Sequence, residues 1–169
     1  MHGNSINKII DALDLAPHPE GGYFKETYRS TDEINQSCLP EGYKGKRNYA
    51  TCIYFLLTSD DFSAFHRIKQ DEIWHFYDGS PLRLHTISES GLHQTQIIGK
   101  YFDKGETPQL IVPGGHWFGA EVIEENSYSL VGCTVSPGFS FNDFELKSRK
   151  ELSNLFPHCK KIIERLTHF

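Results

Sequence analysis

The sequence predicts an all-β sandwich or barrel with short helices at its two ends. From residue 22 to residue 135 the chain is a succession of short segments rich in aromatic and β-branched residues. Those segments are separated by Gly, Pro, Asp, Ser or Asn, the residues that turn a chain. Apolar residues recur at helical spacing only before and after this region.

At the N-terminus, Ile6, Ile9, Ile10 and Leu13 fall on one side of a helix behind Asn4 or Ser5, residue types that cap helix starts, which predicts a short amphipathic helix. Strand chemistry then runs through GYFKETYRS (22–30), YATCIYFLL (49–57), SAFHRI (63–68), EIWHFYDG (72–79), LRLHTIS (82–88), HQTQIIG (93–99), QLIVPGG (109–115), HWFGAEVI (116–123) and YSLVGCTV (128–135). The interrupting segment TDEINQSCLPEGYKGKR (31–47) is polar and contains Pro40, Gly42 and Gly45, so it reads as a long loop that is either a lid over a binding site or simply mobile. After Leu152, Leu155 and Phe156, Pro157 suits a first helical turn, and Ile162, Ile163 and Leu166 continue at helical spacing.

A chain of 169 residues is expected to form one domain spanning 1–169. The formal net charge of -5 and the absence of a basic run weigh against a nucleic-acid partner. The apolar stretches are of strand length, as in ATCIYFLL (50–57), and MHGNSINK lacks the order of a signal peptide, so no membrane partner and a cytoplasmic location are expected. Cys38, Cys52, Cys133 and Cys159 form no C-x-x-C pair and read as free thiols.

Strand alternation places Ala64, His66 and Ile68 on one face, and Glu72, Trp74 and Phe76 on one face of the next strand, as the two arms of a strand-turn-strand. These faces are otherwise apolar, so they predict a barrel interior that carries His66 and Glu72 inside. Burial raises a Glu pKa and lowers that of a His, and pairing opposes both shifts, the mutual tuning found where protons are moved or metals are held. The alternative is a polar spot in the core in which the two only satisfy each other or the backbone. His75 points the other way with Ile73 and Tyr77 and reads as a packing or contact residue, as does His85 beside Arg83. His2, His93, His158 and His168 carry no signal.

FHRIKQDEIWHFYDG (65–79) resembles the first signature of a cupin barrel, and PQLIVPGGHWFGAEV (108–122) resembles the second. In metal-binding cupins these signatures supply two or three His and one Glu, yet the matching positions here include Ile68 and Phe118. His116 shares strand parity with Phe118, so His66, Glu72 and His116 form an alternative site for a divalent metal; no other cofactor is expected. With HPEGGYFKETYRS (18–30), IYFLL (53–57) and SLVGCTVSPGFSFNDFEL (129–146), the chain is similar to the small cupin-5 family. That resemblance implies a double-stranded β-helix jelly roll, assembled as a homodimer, with a pocket in the barrel.

HPEGGYFKETYRS offers Gly21 and Gly22 for a turn closed to other residues, then a strand with Tyr23, Lys25, Thr27 and Arg29 on one face and Phe24, Glu26 and Tyr28 on the other. Glu145 reads as a cap of the C-terminal helix, and Asp143 is either another or a buried carboxylate. By analogy with cupin sugar-nucleotide epimerases, His66 would be a general base oriented by Glu72 or Asp143, with Tyr23, Tyr54 or Tyr128 as the acid. The ligand, a small polar, aromatic or nucleotide-like molecule, would meet Tyr23, Arg29, Trp74, Phe76 and Phe118. A metal-dependent enzyme at His66, Glu72 and His116, or a binding module without chemistry, are the alternatives.

Overall fold

The computed structural model describes residues 2–168, with side chains from residue 6 onward. Helix α1 (His2–Leu13) starts ahead of the predicted cap, and the side chains of Asn4 and Ser5 lie outside the described residues. The strands are β1 (Ala16–Pro17), β2 (Tyr23–Arg29), β3 (Glu33–Ile34), β4 (Arg47–Asn48), β5 (Thr51–Thr58), β6 (Phe62–Arg67), β7 (Asp71–Gly79), β8 (Leu82–Ile87), β9 (His93–Ile98), β10 (Gln109–Val112), β11 (Trp117–Val122), β12 (Tyr128–Ser136) and β13 (Glu145–Leu146). Helices α2 (Arg149–Leu155) and α3 (Lys160–Arg165) follow. Among the described residues, no helix is long and apolar enough to cross a membrane.

Two open sheets pack as a jelly-roll sandwich. One has the order β1-β2-β5-β12-β7-β10 and the other β13-β6-β11-β8-β9. The strand-turn-strand expected at 63–79 is not a hairpin: β6 and β7 belong to different sheets, joined at a corner through Ile68, Lys69 and Gln70. The predicted alternation survives, because the inward faces of both strands look into the same interior. His66 and Glu72 therefore face each other across the sandwich rather than along one sheet.

The core between the sheets includes Phe55, Leu57, Trp74, Leu84, Phe118 and Val131. Burying each such side chain contributes about 1.5–3 kcal/mol. On the outer face of the smaller sheet, Phe65, Ile87 and Trp117 pack under Leu152, Phe156, Ile163 and Leu166 of the C-terminal segment. Helix α2 is started by a capping box between Ser148 and Glu151. Glu145, expected to cap it, instead lies in β13 and pairs with Arg67 at 2.6 Å and Lys147 at 2.8 Å. All four cysteines are free.

The segment 31–47 is tied down rather than unattached. It contains the β3–β4 pair, and Tyr43 is buried within it. At its end the Arg47 guanidinium makes a two-pronged bond to Asp143, Nε to Oδ2 at 2.7 Å and Nη2 to Oδ1 at 2.8 Å, with both side chains almost fully buried. Gln70 Nε2 donates to the same carboxylate at 2.9 Å, and Arg47 Nη1 donates to the carbonyls of Lys44, Gly45 and Lys46. Removing one member of a buried pair leaves the other charge uncompensated. Asp143→Asn is therefore expected to cost about 3 kcal/mol in urea unfolding and to open Lys44, Lys46 and Arg47 to trypsin; an unchanged midpoint and digestion pattern would show that the pair does not hold the segment.

Candidate functional site

The inward faces enclose a cavity of about 450 Å³ between the sheets. Its floor is polar and built from two strands and a turn. His66 on β6 is buried, and its ring is held on both sides: Nδ1 lies 2.7 Å from the Ala64 carbonyl and Nε2 lies 3.0 Å from Glu20 Oε2. The residue that orients His66 is thus Glu20, where Glu72 or Asp143 was expected.

Glu20 belongs to the turn between β1 and β2, and the glycines after it explain its position. Gly21 has φ 111° and Gly22 φ 68°, and a Cβ at either would lie 2.1 Å from the Phe62 carbonyl oxygen or 2.7 Å from that of Leu56. Only this close approach lets the Glu20 carbonyl accept from Ala64 N at 2.7 Å and the Glu20 carboxylate accept from Ser63 Oγ at 2.8 Å. His18 completes the floor, with Nδ1 3.4 Å from Glu20 Oε2 and its ring edge-on to Phe24 at 4.7 Å.

The protonation states follow from these contacts. Burial pulls the His66 pKa down, but the charge and hydrogen bond of Glu20, the charge of Glu72 and the Ala64 carbonyl outweigh it and raise the pKa. Burial pushes Glu20 up, and the charge and hydrogen bond of His66, with His18 and Ser63, bring it below its ordinary value. The pair is therefore an imidazolium and a carboxylate. His18, lowered mainly by burial, stays neutral.

Glu72 on β7 is the second buried carboxyl lining the cavity, and its counter-charge is already committed to Glu20. Burial raises its pKa to about 7; His66 opposes the shift and the Glu20 charge adds to it. The Cys133 thiol and the Trp74 indole N–H lean toward it, the latter short of a full hydrogen bond. A carboxyl that is half-ionised near neutrality, beside a fixed positive charge, is suited to accept a proton and return it.

Above the floor, Phe24, Phe55, Phe139, Phe141 and Phe144 form an aromatic collar with Ile53 and Ile68. At the mouth the lining carries the exposed Glu26, Arg29, Lys46 and Asn142 with the half-buried Asn48, and the buried Arg47 lies behind them. Strict alternation set Arg29 on the face opposite Phe24 and Glu26, but a bulge at Thr27 shifts the β2–β5 register, so all of them line the cavity. Four of the five Arg29 N–H groups are engaged: it pairs with Glu26 through Nε at 2.9 Å and Nη2 at 2.7 Å, and Nη1 donates to Asn48 and the Phe139 carbonyl. Lys46 is paired with Glu33, and Arg47 with Asp143.

Among the other expected site residues, Trp74 and Phe118 are core side chains beneath the cavity, Phe118 packing on the His66 ring with centroids 4.1 Å apart. Phe76 packs against the core, and neither it nor Tyr23 lines the cavity. Tyr54 and Tyr128 do not line it either; Tyr54 faces Tyr77, and Tyr128 donates to Asp78 Oδ2 at 2.6 Å, which pushes its pKa up to about 12. Asp143 is held by Arg47 outside the cavity lining. His116 stands at the β10–β11 turn, also outside that lining, and among the described residues no three His, Cys, Asp or Glu side chains converge as metal ligands. The sequence reading missed Glu20 and His18, although a Glu followed by Gly-Gly beside a predicted strand is the kind of close-approach signal that marks such a position.

A jelly-roll sandwich with a polar-floored interior cavity is the architecture that cupins share with other jelly rolls. The chain belongs to the cupin-5 family, described as Cupin superfamily (DUF985), whose model matches residues 7–147. It is 31% identical over 162 residues to an uncharacterised protein of Saccharomyces cerevisiae, covering 90% of this chain and 80% of that one. The crystal structure of a Shewanella oneidensis protein is similar at 38% identity with a TM-score of 0.87, covering 96% of each chain. A hypothetical protein of Leishmania major is similar at 34% identity and a TM-score of 0.88, covering 96% of this chain and 98% of that one. Oxalate decarboxylase of Bacillus subtilis, at 17% identity and a TM-score of 0.54 over 89% of this chain and 36% of its own, shares the fold.

The raised Glu72 pKa sets a sign for stability. Between the ordinary value of 4.5 and about 7 the folded chain binds more protons at Glu72 than the unfolded chain, so this group costs stability as pH rises through that window. Glu72→Gln removes the cost. The variant is expected to gain up to roughly 3 kcal/mol over the wild type at pH 8 and little at pH 5, read by denaturant unfolding at the two values; a pH-independent difference would show that Glu72 ionises normally.

Proposed function

We propose that the protein binds a small carbonyl compound in the sandwich cavity and moves a proton on it, an isomerase- or epimerase-like activity. The observation that supports this reading is the buried Glu72 carboxyl, poised near neutrality at the floor of the cavity beside the His66–Glu20 pair. Glu72, rather than His66, is the group with a proton to exchange: both His66 ring nitrogens face acceptors.

In this reading Glu72 takes a proton from the carbon next to the ligand carbonyl and returns it on the same or the neighbouring atom. The fixed imidazolium of His66 lowers the energy of negative charge that develops nearby, as a preorganised charge does in a dry site. His18, neutral and at the cavity floor, supplies a polar contact. The Phe collar receives the flat or apolar face of a sugar or other small carbonyl compound and keeps water from the proton being moved. Because Arg29, Lys46 and Arg47 are already paired with carboxylates, the mouth favours a ligand of low charge over one that needs a strong diphosphate grip.

The test is solvent exchange. A panel of ketoses, aldoses and nucleotide-sugars is incubated with the protein in heavy water, and deuterium at the carbon next to the carbonyl is read by NMR. At least one compound is expected to exchange, and Glu72→Gln to slow it by about a hundredfold or more while the same compound still raises the melting temperature. A compound that binds the cavity and never exchanges would make the protein a binding module instead.

A further inference from the structure

A second cavity, also of about 450 Å³, lies on the outside of the smaller sheet where β8 and β9 meet the C-terminal segment. His85, His93, His158, Cys159, Lys161 and Arg165 line it, together with an apolar residue, and no carboxylate does so. In a chain with a formal net charge of -5, a basic lining of this kind is a local excess of positive charge. Lys161 has no ion-pair partner among the described residues. Arg165 donates to Glu121 Oε1, but that single oxygen is also reached by Arg83 Nη1 at 3.2 Å and His85 Nε2 at 3.3 Å. One carboxylate therefore faces two guanidiniums and an imidazole.

The imidazoles add a proton-dependent part. His85 and His93 are diagonal neighbours on the β8–β9 pair, with His85 Nδ1 3.1 Å from His93 Nε2 and their rings within 11° of parallel. One ring donates and the other accepts, so the contact uses one proton of the pair. Burial holds His85 down at about 4, with His93 and Arg165 adding to it and Glu121 opposing it, and burial and Arg165 lower His93. The groups around this pair are Arg83 on β8, Thr95 on β9, Glu121 on β11, and His158, Lys161 and Arg165 from the C-terminal segment. An anion seated among them supplies the negative charge that the cluster lacks and favours a proton on exposed His93.

We propose that this cavity binds a sulfate- or phosphate-type dianion, with Lys161 and Arg165 supplying standing positive charge and His93 a contact that strengthens on protonation. The site is separate from the sandwich interior, since the two cavities share no lining residue. A transition metal is the less fitting occupant, because Lys161 and Arg165 would repel it.

Sulfate is the probe of choice because its charge does not change between pH 6 and pH 8. Calorimetric titration of the full chain at low ionic strength should show one sulfate site, at least several-fold tighter at pH 6 than at pH 8. Lys161→Glu, on the exposed side of α3, should weaken it by about tenfold or more with the melting temperature unchanged, and His93→Gln should remove the pH dependence. Absence of binding at both pH values, binding indifferent to Lys161→Glu, or binding lost on Arg29→Gln instead, would overturn the assignment.

Discussion

One buried ion pair organises the interior of this protein. Glu20 and His66 come from segments far apart in the chain, and each is costly when buried unless the other is present. Their contact fixes much else. It needs the Gly21–Gly22 approach to β5 and β6, it draws on Ser63 and the Ala64 carbonyl for its remaining hydrogen bonds, and it lets Phe118 and Phe144 pack against a ring that cannot turn. Burial is the main cause of the raised Glu72 pKa; His66, already bonded to Glu20, offsets it only in part, and the Glu20 charge adds to it.

The cavity is graded from floor to mouth. A buried ion pair and a second carboxyl of raised pKa lie at the bottom, aromatic rings in the middle, and ion pairs at the rim. Such a gradient favours a ligand that enters with its polar end first and leaves its apolar body against the Phe collar. The Arg47–Asp143 bond joins this rim to the segment 31–47, so the stability of that segment and the shape of the opening are set by the same contact.

Much of this was legible in residue pattern, for reasons that can be stated. Period-two alternation in β6 and β7 is a local property, so the inward faces of His66, Ile68, Glu72 and Trp74 could be read directly. Pairing is not local. The short link Ile68–Gln70 suits a hairpin as well as a corner between sheets, and only the partners chosen by β6 and β7, namely β11 and β13 for one and β12 and β10 for the other, decide between them. Arg29 illustrates a second limit: a one-residue bulge at Thr27 reverses the parity of everything after it, and nothing in YFKETYR announces that bulge. Acidic residues suit helix starts, which makes Glu145 a candidate cap by sequence, yet Ser148 and Glu151 make the cap and leave Glu145 to Arg67.

The amino-acid sequence by itself determined the all-β class, the strand order along the chain, the terminal helices, the cupin-5 membership and the inward placement of one His and one Glu. These depend on propensity, spacing and turn chemistry, which act over a few residues. Tertiary structure alone decided that Glu20 partners His66, that Glu72 is a buried carboxyl with a raised pKa, that Asp143 serves Arg47, and that His85, His93 and His158 gather around a basic hollow. Each of those depends on which distant segments come within a few ångströms and on what burial does to their charges, and neither quantity is encoded in spacing along the chain.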